Sequence, residues 1–199
     1  TQLPSRLSET RLYEPGTLRV DRRNRPYSPQ YPLWTDGAGK SRWVRLPPGG
    51  RIDASDADKW VFPVGTIFWK EFDFGGRKVE TRMLQRASAA TWRYASYLWN
   101  EAQTDATRAP ATGVPGVVEV VPGRAHDIPA HDDCRACHEN GSTPVLGFTA
   151  LQLSDDRDPG APHAERLHAG MVTLRQLLDE GRLASVDPAL DGPPPRIAG

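Results

Sequence analysis

The chain lacks any apolar run approaching the roughly 20 residues needed to cross a bilayer, so no membrane-spanning helix is expected in its 199 residues. It also lacks an excess of charge. Its 25 Lys plus Arg balance 25 Asp plus Glu, and a neutral chain has no overall field to recruit nucleic acid or an anionic membrane. Cysteine is nearly missing: two residues exclude a disulfide framework and leave stability to packing. The Gly-rich turns lack the Gly-x-Gly-x-x-Gly and Gly-Lys-Ser patterns of nucleotide sites. The opening Thr1-Gln2-Leu3-Pro4 has neither the basic start nor the apolar core of an export leader. What remains is one domain, or one domain with an appended segment, long enough to bury a core.

Both cysteines fall within Cys134-Arg135-Ala136-Cys137-His138, and this order is the attachment pattern of a c-type haem. Two thiols two residues apart can each add to a vinyl group of one porphyrin, and the adjacent imidazole then lies under the iron as proximal ligand. The expected cofactor is one covalent haem c on Cys134 and Cys137, with His138 as metal ligand. A redox dithiol and half of a zinc site are the competing readings. Zinc needs two further ligands, from His126, His131, a carboxylate or a distant histidine, and no second Cys-x-x-Cys or His-x-x-x-His completes such a set. A thioredoxin-like site sits in a βαβ unit, whereas here Pro129 precedes the motif and Gly141 and Pro144 follow it. Covalent haem attachment is completed outside the cytoplasmic membrane, so the haem reading implies a periplasmic or otherwise exported protein whose leader has been removed.

Four segments are expected along the chain. Residues 1–30, rich in Arg and Pro, read as an extended N-terminal arm over the surface. Within it Arg22-Arg23-Asn24-Arg25 reads as a solvated face. Residues 31–125 read as an antiparallel β-rich body, 126–185 as the haem-attachment segment with a packing helix, and 186–199 as a linker or truncated tail. In the body, Arg42 to Leu46 alternates and stops at Pro47-Pro48-Gly49-Gly50, and Trp60 to Gly65 is a second strand. Thr66 to Phe74 and Arg77 to Arg86, joined by Gly75-Gly76, form a long hairpin. Thr91 to Trp99 presents Trp92, Tyr94 and Leu98 on one face and Tyr97 and Trp99 on the other; Val117 to Val121 is shorter. The haem motif opens a short helix with Asp132 or Asp133 as cap, and Thr173 to Glu180 forms another that ends at Gly181 with Leu174, Leu177 and Leu178 on one face. The fold class is therefore mainly β: an antiparallel β-sandwich or curved sheet with short helices and a C-terminal Cys-x-x-Cys-His haem segment.

Several stretches, in this order, resemble a bacterial family of exported c-type haem-binding proteins. They are Tyr31-Pro32-Leu33-Trp34-Thr35-Asp36-Gly37-Ala38 with Lys40 and Arg42, then Phe62-Pro63-Val64-Gly65-Thr66 leading to Lys70-Glu71-Phe72. Glu80-Thr81-Arg82, Tyr97-x-Trp99-Asn100, Ile128-Pro129-Ala130 before Cys134, and Leu146-Gly147-Phe148 leading to Gln152-Leu153 complete the set. The resemblance covers roughly residues 10 to 180. It implies a partner in the form of a redox protein or a further haem domain, since members often continue into a second haem segment. A looser likeness is to the β-sheet cytochromes whose porphyrin is cross-linked to a lysine, one branch of which oxidises hydroxylamine. Lys70 is the residue that likeness points to, because it shares a strand face with Phe68, Phe72 and Phe74. Burial statistics favour a Lys70 that is paired with a carboxylate or solvated.

The second side of the iron decides between carrier and catalyst. Met83, Met171, His126, His131, His163 and His168 are the available ligands, and Met171 is the choice for the metal. Met83 also reads as core filler, and His126 and His131 as surface histidines. Leu146 and Phe148, with Val145, Leu151 and Leu153, are the expected pocket wall, and Arg82 and Arg135 the candidate propionate partners. Ser154-Asp155-Asp156-Arg157-Asp158 lacks the glycine and terminal glutamate of a calcium loop and reads as an exposed acidic turn or helix cap. The function expected is electron transfer within a larger exported redox system. The alternatives are a five-coordinate haem enzyme or gas sensor, with a distal pocket from Phe68, Trp69, Phe72, Trp92 or Tyr94, and a β-rich scaffold subunit.

Overall fold

The computed structural model describes residues 3–139 and 143–195. Thr1 and Gln2, Gly141 after the motif, and the Arg196-Ile197-Ala198-Gly199 end of the expected tail lie outside the described residues. The chain is mainly β, with one large antiparallel sheet and few helices. Its strands are β1 (Arg25–Pro26), β2 (Gly39–Arg45), β3 (Ile52–Asp53), β4 (Ile67–Phe74), β5 (Arg77–Arg86), β6 (Trp92–Trp99), β7 (Ala106–Arg108), β8 (Val114–Val121), β9 (Arg124–Ile128) and β10 (Leu183–Ala184). Helices α1 (His131–Glu139) and α2 (Leu174–Asp179) follow β9 and precede β10. Six strands form the sheet in the order β1-β2-β4-β5-β6-β7; β8 pairs with β9, and β3 with β10.

The hairpin β4–β5 anchors the sheet. Gly75 and Gly76 both have positive φ, 61° and 83°, the pair of angles that a two-residue turn matching strand twist demands and only glycine adopts freely. The register then carries across the sheet in rows: Val44, Phe68, Leu84 and Tyr94 are successive partners, as are Arg42, Lys70, Arg82 and Ser96. Because side chains alternate, both rows lie on one face and Trp43, Trp69, Met83 and Ala95 on the other.

That second face is closed by the N-terminal arm. Leu3, Leu7, Leu12 and Tyr13 pack with Ile67, Trp69, Met83, Tyr97 and Trp99 in one buried cluster. Polar tips fix the arm: Trp69 Nε1 donates to Thr10 Oγ1 at 3.1 Å, Tyr97 Oη to the Pro4 carbonyl at 3.1 Å, and Tyr13 Oη to Glu71 at 2.7 Å. The arm thus supplies half a core where a surface strap was expected. Asn24, read as solvated with its arginine neighbours, is buried and donates Nδ2 to the carbonyls of Arg11 and Leu12.

The first face carries the larger core. Val44, Phe68, Leu84 and Tyr94 meet Tyr27, Phe62, Phe148, Leu153, Leu174 and Leu177 there. Phe148 is its hub, with ring centroids 4.8 Å from Tyr27 and 5.2 Å from Phe68 in edge-on geometry, the favoured arrangement of aromatic quadrupoles. Helix α2 docks here through Leu174 and Leu177. Thr173 Oγ1 accepts from Gln176 N at 3.3 Å and Asp155 from Arg175 N at 2.8 Å, so the acidic turn serves as a helix cap. The strand expected over Trp60 to Gly65 is a single bridge, Val61 to Asp53; Pro63 and the positive φ of Gly65 interrupt it. Among the described residues no helix is long and apolar enough to cross a membrane.

Candidate functional site

Helix α1 contains the whole Cys-x-x-Cys-His motif and lies against β6. The helix begins at His131, so Asp132 and Asp133 lie in its first turn rather than at the cap position expected of them, and the Asp133 carboxylate reaches back to accept from Ala130 N at 2.9 Å. Cys134 and Cys137 are free thiols, the first half-buried and the second exposed. Spacing of three places them on one side of the helix. Burial pushes the Cys134 thiol up, so it stays protonated and apolar and packs against the larger core.

His138 is the best-defined group of the site. Its Nδ1 lies 2.6 Å from the Pro144 carbonyl oxygen. A carbonyl only accepts, so Nδ1 carries the proton and Nε2 is left with its lone pair. The ring stacks on Tyr94 at 5.5 Å with an interplanar angle of 26°. Burial, then the charges of Arg82 and Lys70, lower its proton affinity against the Pro144 hydrogen bond. A neutral imidazole of defined tautomer is the state a metal ligand needs.

Arg82, Met83, Leu84, Tyr94, Ala95, Pro129 and Asp133 surround Cys134, Cys137 and His138 in a cleft of about 120 Å³. It adjoins a wider cleft of about 560 Å³ through Tyr94, Ala95, Pro129 and Cys134, and His131 lines the wider one. The wider volume lies within the range of roughly 300–1,000 Å³ typical of cofactor pockets. The Tyr94 hydroxyl is buried without a hydrogen-bond partner among the described residues, and burial pushes its pKa up to about 12. An orphaned donor beside two thiols and an oriented imidazole fits a planar group seated there.

The other expected residues fall elsewhere. Met171, His163 and His168 line a third cleft, of about 660 Å³, with Tyr27, Lys40 and Arg42; it shares no residue with the cleft of His138. Phe148 is fully enclosed by the core aromatics and Leu146 is 43% exposed. Neither lines the His138 cleft. Met83 contributes to that cleft from β5, but its side chain packs in the N-terminal cluster near Tyr97. Of the two arginines, Arg82 reaches the site, and Arg135 is exposed and paired with Glu139 at 3.0 Å.

His126 corrects the sequence reading. It is 1% exposed, with Nδ1 3.1 Å from Asp36 and Nε2 3.4 Å from Glu80. Burial opposes its charge, but the hydrogen bonds to Glu80 and Asp36 outweigh it and raise its pKa. The same contacts keep both carboxylates below their usual range. This triad straps the β8–β9 hairpin, and hence the entry to α1, to the sheet. The available signal was its place two residues before buried Ile128 on β9, which puts both side chains on one face. His131 is exposed, as expected.

Lys70 makes no ion pair among the described residues and is only partly exposed. It is partly buried on the Phe68 and Phe72 face, without a carboxylate partner among the described residues. No family model matches the chain, and neither a curated protein nor a solved structure matches it.

Proposed function

We propose that this chain is an exported c-type haem domain that transfers electrons, with the six-stranded sheet as the curved wall of a C-terminal haem segment. The observation that carries the proposal is the hydrogen bond from His138 Nδ1 to Pro144 O at 2.6 Å. It leaves Nε2 as the ligand atom directly after two unpaired thiols. Bound haem supplies a one-electron ferric–ferrous couple. The chain's own residues do the rest. Cys134 and Cys137 hold the porphyrin covalently, which prevents its loss outside the cell. Tyr94 and Pro129 exclude water from one side of the cleft, and Arg82 offers a cation to its rim. Exposed Cys137 sets the attachment edge at the surface, where a redox partner protein or a further haem domain can approach.

A five-coordinate haem enzyme or gas sensor is the second reading, favoured by the placement of Met171, His163 and His168 in a different cleft from His138. Expression with a haem-maturation system, followed by ferric, ferrous and carbon monoxide spectra, tests both. Covalent haem that is low-spin and indifferent to carbon monoxide is the expected result. A ferrous form that binds carbon monoxide supports the second reading. Protein that retains no haem, or a Cys134→Ala, Cys137→Ala variant that still holds it covalently, overturns the first claim and returns zinc or a dithiol to consideration.

A further inference from the structure

The cross-strand row Arg42, Lys70, Arg82 and Ser96 sets three cations side by side on the inner face of the sheet. Directly opposed side chains on one face have Cβ atoms about 4.5–5.5 Å apart, and like charges there are destabilising. Each outer member of the row has its own anion. Arg42, 5% exposed, meets Glu165 at 2.9 Å, and Arg82 holds Glu80 through Nε and Nη2 at 2.8 and 2.9 Å. Neither carboxylate is spare, since Glu165 also accepts from Ser28 Oγ at 3.0 Å and Glu80 faces His126.

Lys70, the middle member, makes no hydrogen bond or ion pair among the described residues. Its Nζ lies 4.7 Å from the Phe72 ring centroid, and the Arg82 guanidinium sits 4.6 Å from the same ring. One aromatic ring shared by two cations offsets only part of their repulsion. Burial, then the charges of Arg42, Arg82 and Lys40, push the Lys70 pKa down to about 7 against the weaker pull of Glu80. Lys40, Arg42, Lys70 and Arg82 on this face are met by Glu80 and Glu165, with Asp36 acting on Lys40, Asp133 lining the cleft of Arg82, and His126 and His138 nearby. The row runs from the cleft lined by Arg42 to the cleft lined by Arg82 and His138.

We propose that Arg42, Lys70 and Arg82 form a binding site for one oxyanion of carboxylate or sulfate size, which supplies the missing counter-charge to Lys70. Two sources carry that chemistry: a porphyrin propionate, which rests on the haem reading, or a small free anion, which does not. The guanidinium planes offer directed donors and the ammonium a point charge, the combination that recognises oxyanions.

The chain has four lysines, Lys40, Lys59, Lys70 and Lys78, so ¹³C-dimethyl-lysine NMR resolves Lys70, assigned by the resonance lost in Lys70→Arg. The full-length chain is titrated with and without inorganic sulfate, both haem-free and matured. In the haem-free chain Lys70 is expected to titrate near 7 and to rise by at least one unit in sulfate, an effect that Arg42→Gln abolishes. A matured chain that titrates high without sulfate and ignores it assigns the site to a propionate; one that still responds assigns it to a free anion. No response in either form, or an ordinary lysine value in the haem-free chain, overturns the proposal. The matured chain has its own readout if the haem-free one is unfolded: Lys70→Met lowers the melting temperature when an anion partners the lysine and raises it when none does. Loss of covalent haem would sink the proposed function and leave the haem-free sulfate arm intact.

Discussion

The two faces of the six-stranded sheet use the same strands to opposite ends. The face under the N-terminal arm is closed: Trp69, Tyr97 and Leu7 are fully buried, and the polar tips of Trp69 and Tyr97 find partners on the arm. The other face is aromatic at one end, around Phe148, and ionic in the middle, where Arg42, Lys70, Arg82, Glu80 and His126 gather. Since interiors disfavour unpaired charge, the difference shows where stability is made and where it is conceded. Helix α1 with its cysteines and histidine lies on the conceded side.

The largest break of this comparison is Trp69→Ala. It removes a fully buried indole and its hydrogen bond to Thr10, so a loss of about 3–5 kcal/mol is expected from denaturant unfolding. The His138 cleft lies across the sheet, and retention of the proposed covalent haem by the remaining folded protein should be unchanged. Loss of haem without loss of stability would mean that the two faces are not independent.

Glu80→Leu comes next, at about 3 kcal/mol, because it strands buried His126 and leaves Arg82 unpaired. The same triad gives a pH signature. His126 has its folded pKa raised, so its stabilisation is complete below its unfolded value of about 6.5 and is lost as pH rises through the folded value. Asp36 has its folded pKa lowered, so its contribution is present above its unfolded value of about 3.9 and fades as pH falls. Stability curves of wild type and His126→Gln should therefore converge toward high pH. Parallel curves would remove the charged triad from the account.

How much of this was legible in the sequence differs between the faces. The β4–β5 hairpin, its Gly-Gly turn and the alternation of β6 were readable, because they follow from local turn chemistry and a period of two. So was α2, from its three leucines and its stop at Gly181. The arm was not. Leu3, Leu7, Leu12 and Tyr13 are spaced without a regular period, and only the distant strands they cover make them core. His126 and Lys70 failed for a related reason: residue statistics place a histidine in a polar loop and a lysine at the surface, while Glu80, Asp36, Arg42 and Arg82, which decide their states, lie 12 to 90 positions away on other strands and loops. The motif residues themselves were plain, but the Pro144 carbonyl that fixes the His138 tautomer follows from a loop closure that no spacing encodes.

Lys70→Met sharpens the comparison with a smaller effect and the opposite sign. In the haem-free chain at pH 6 it should stabilise by about 1–2 kcal/mol, since an unpartnered cation leaves a partly buried position. The pH trend runs against that of His126. A lysine whose folded pKa is about 7 binds fewer protons folded than unfolded between there and about 10.4, so stability rises with pH in that window. The gain from Lys70→Met should shrink over the same range, and a gain independent of pH would mean that packing alone produces it.

The smallest effect expected is at Tyr94, where the ionic face meets the cleft. Its hydroxyl is buried without a partner among the described residues, while its ring stacks on His138. Tyr94→Phe keeps the ring and removes an unsatisfied donor, and such an exchange is close to neutral. Haem-free unfolding should move by about 0.5 kcal/mol or less. Under the proposed haem reading the hydroxyl would gain a partner in the matured chain, and the same variant would then lose about 1 kcal/mol. The comparison that matters is between these two measurements. A loss confined to the matured chain would make Tyr94 part of the cofactor's own surroundings, and equal changes in both forms would limit it to holding the His138 ring in place.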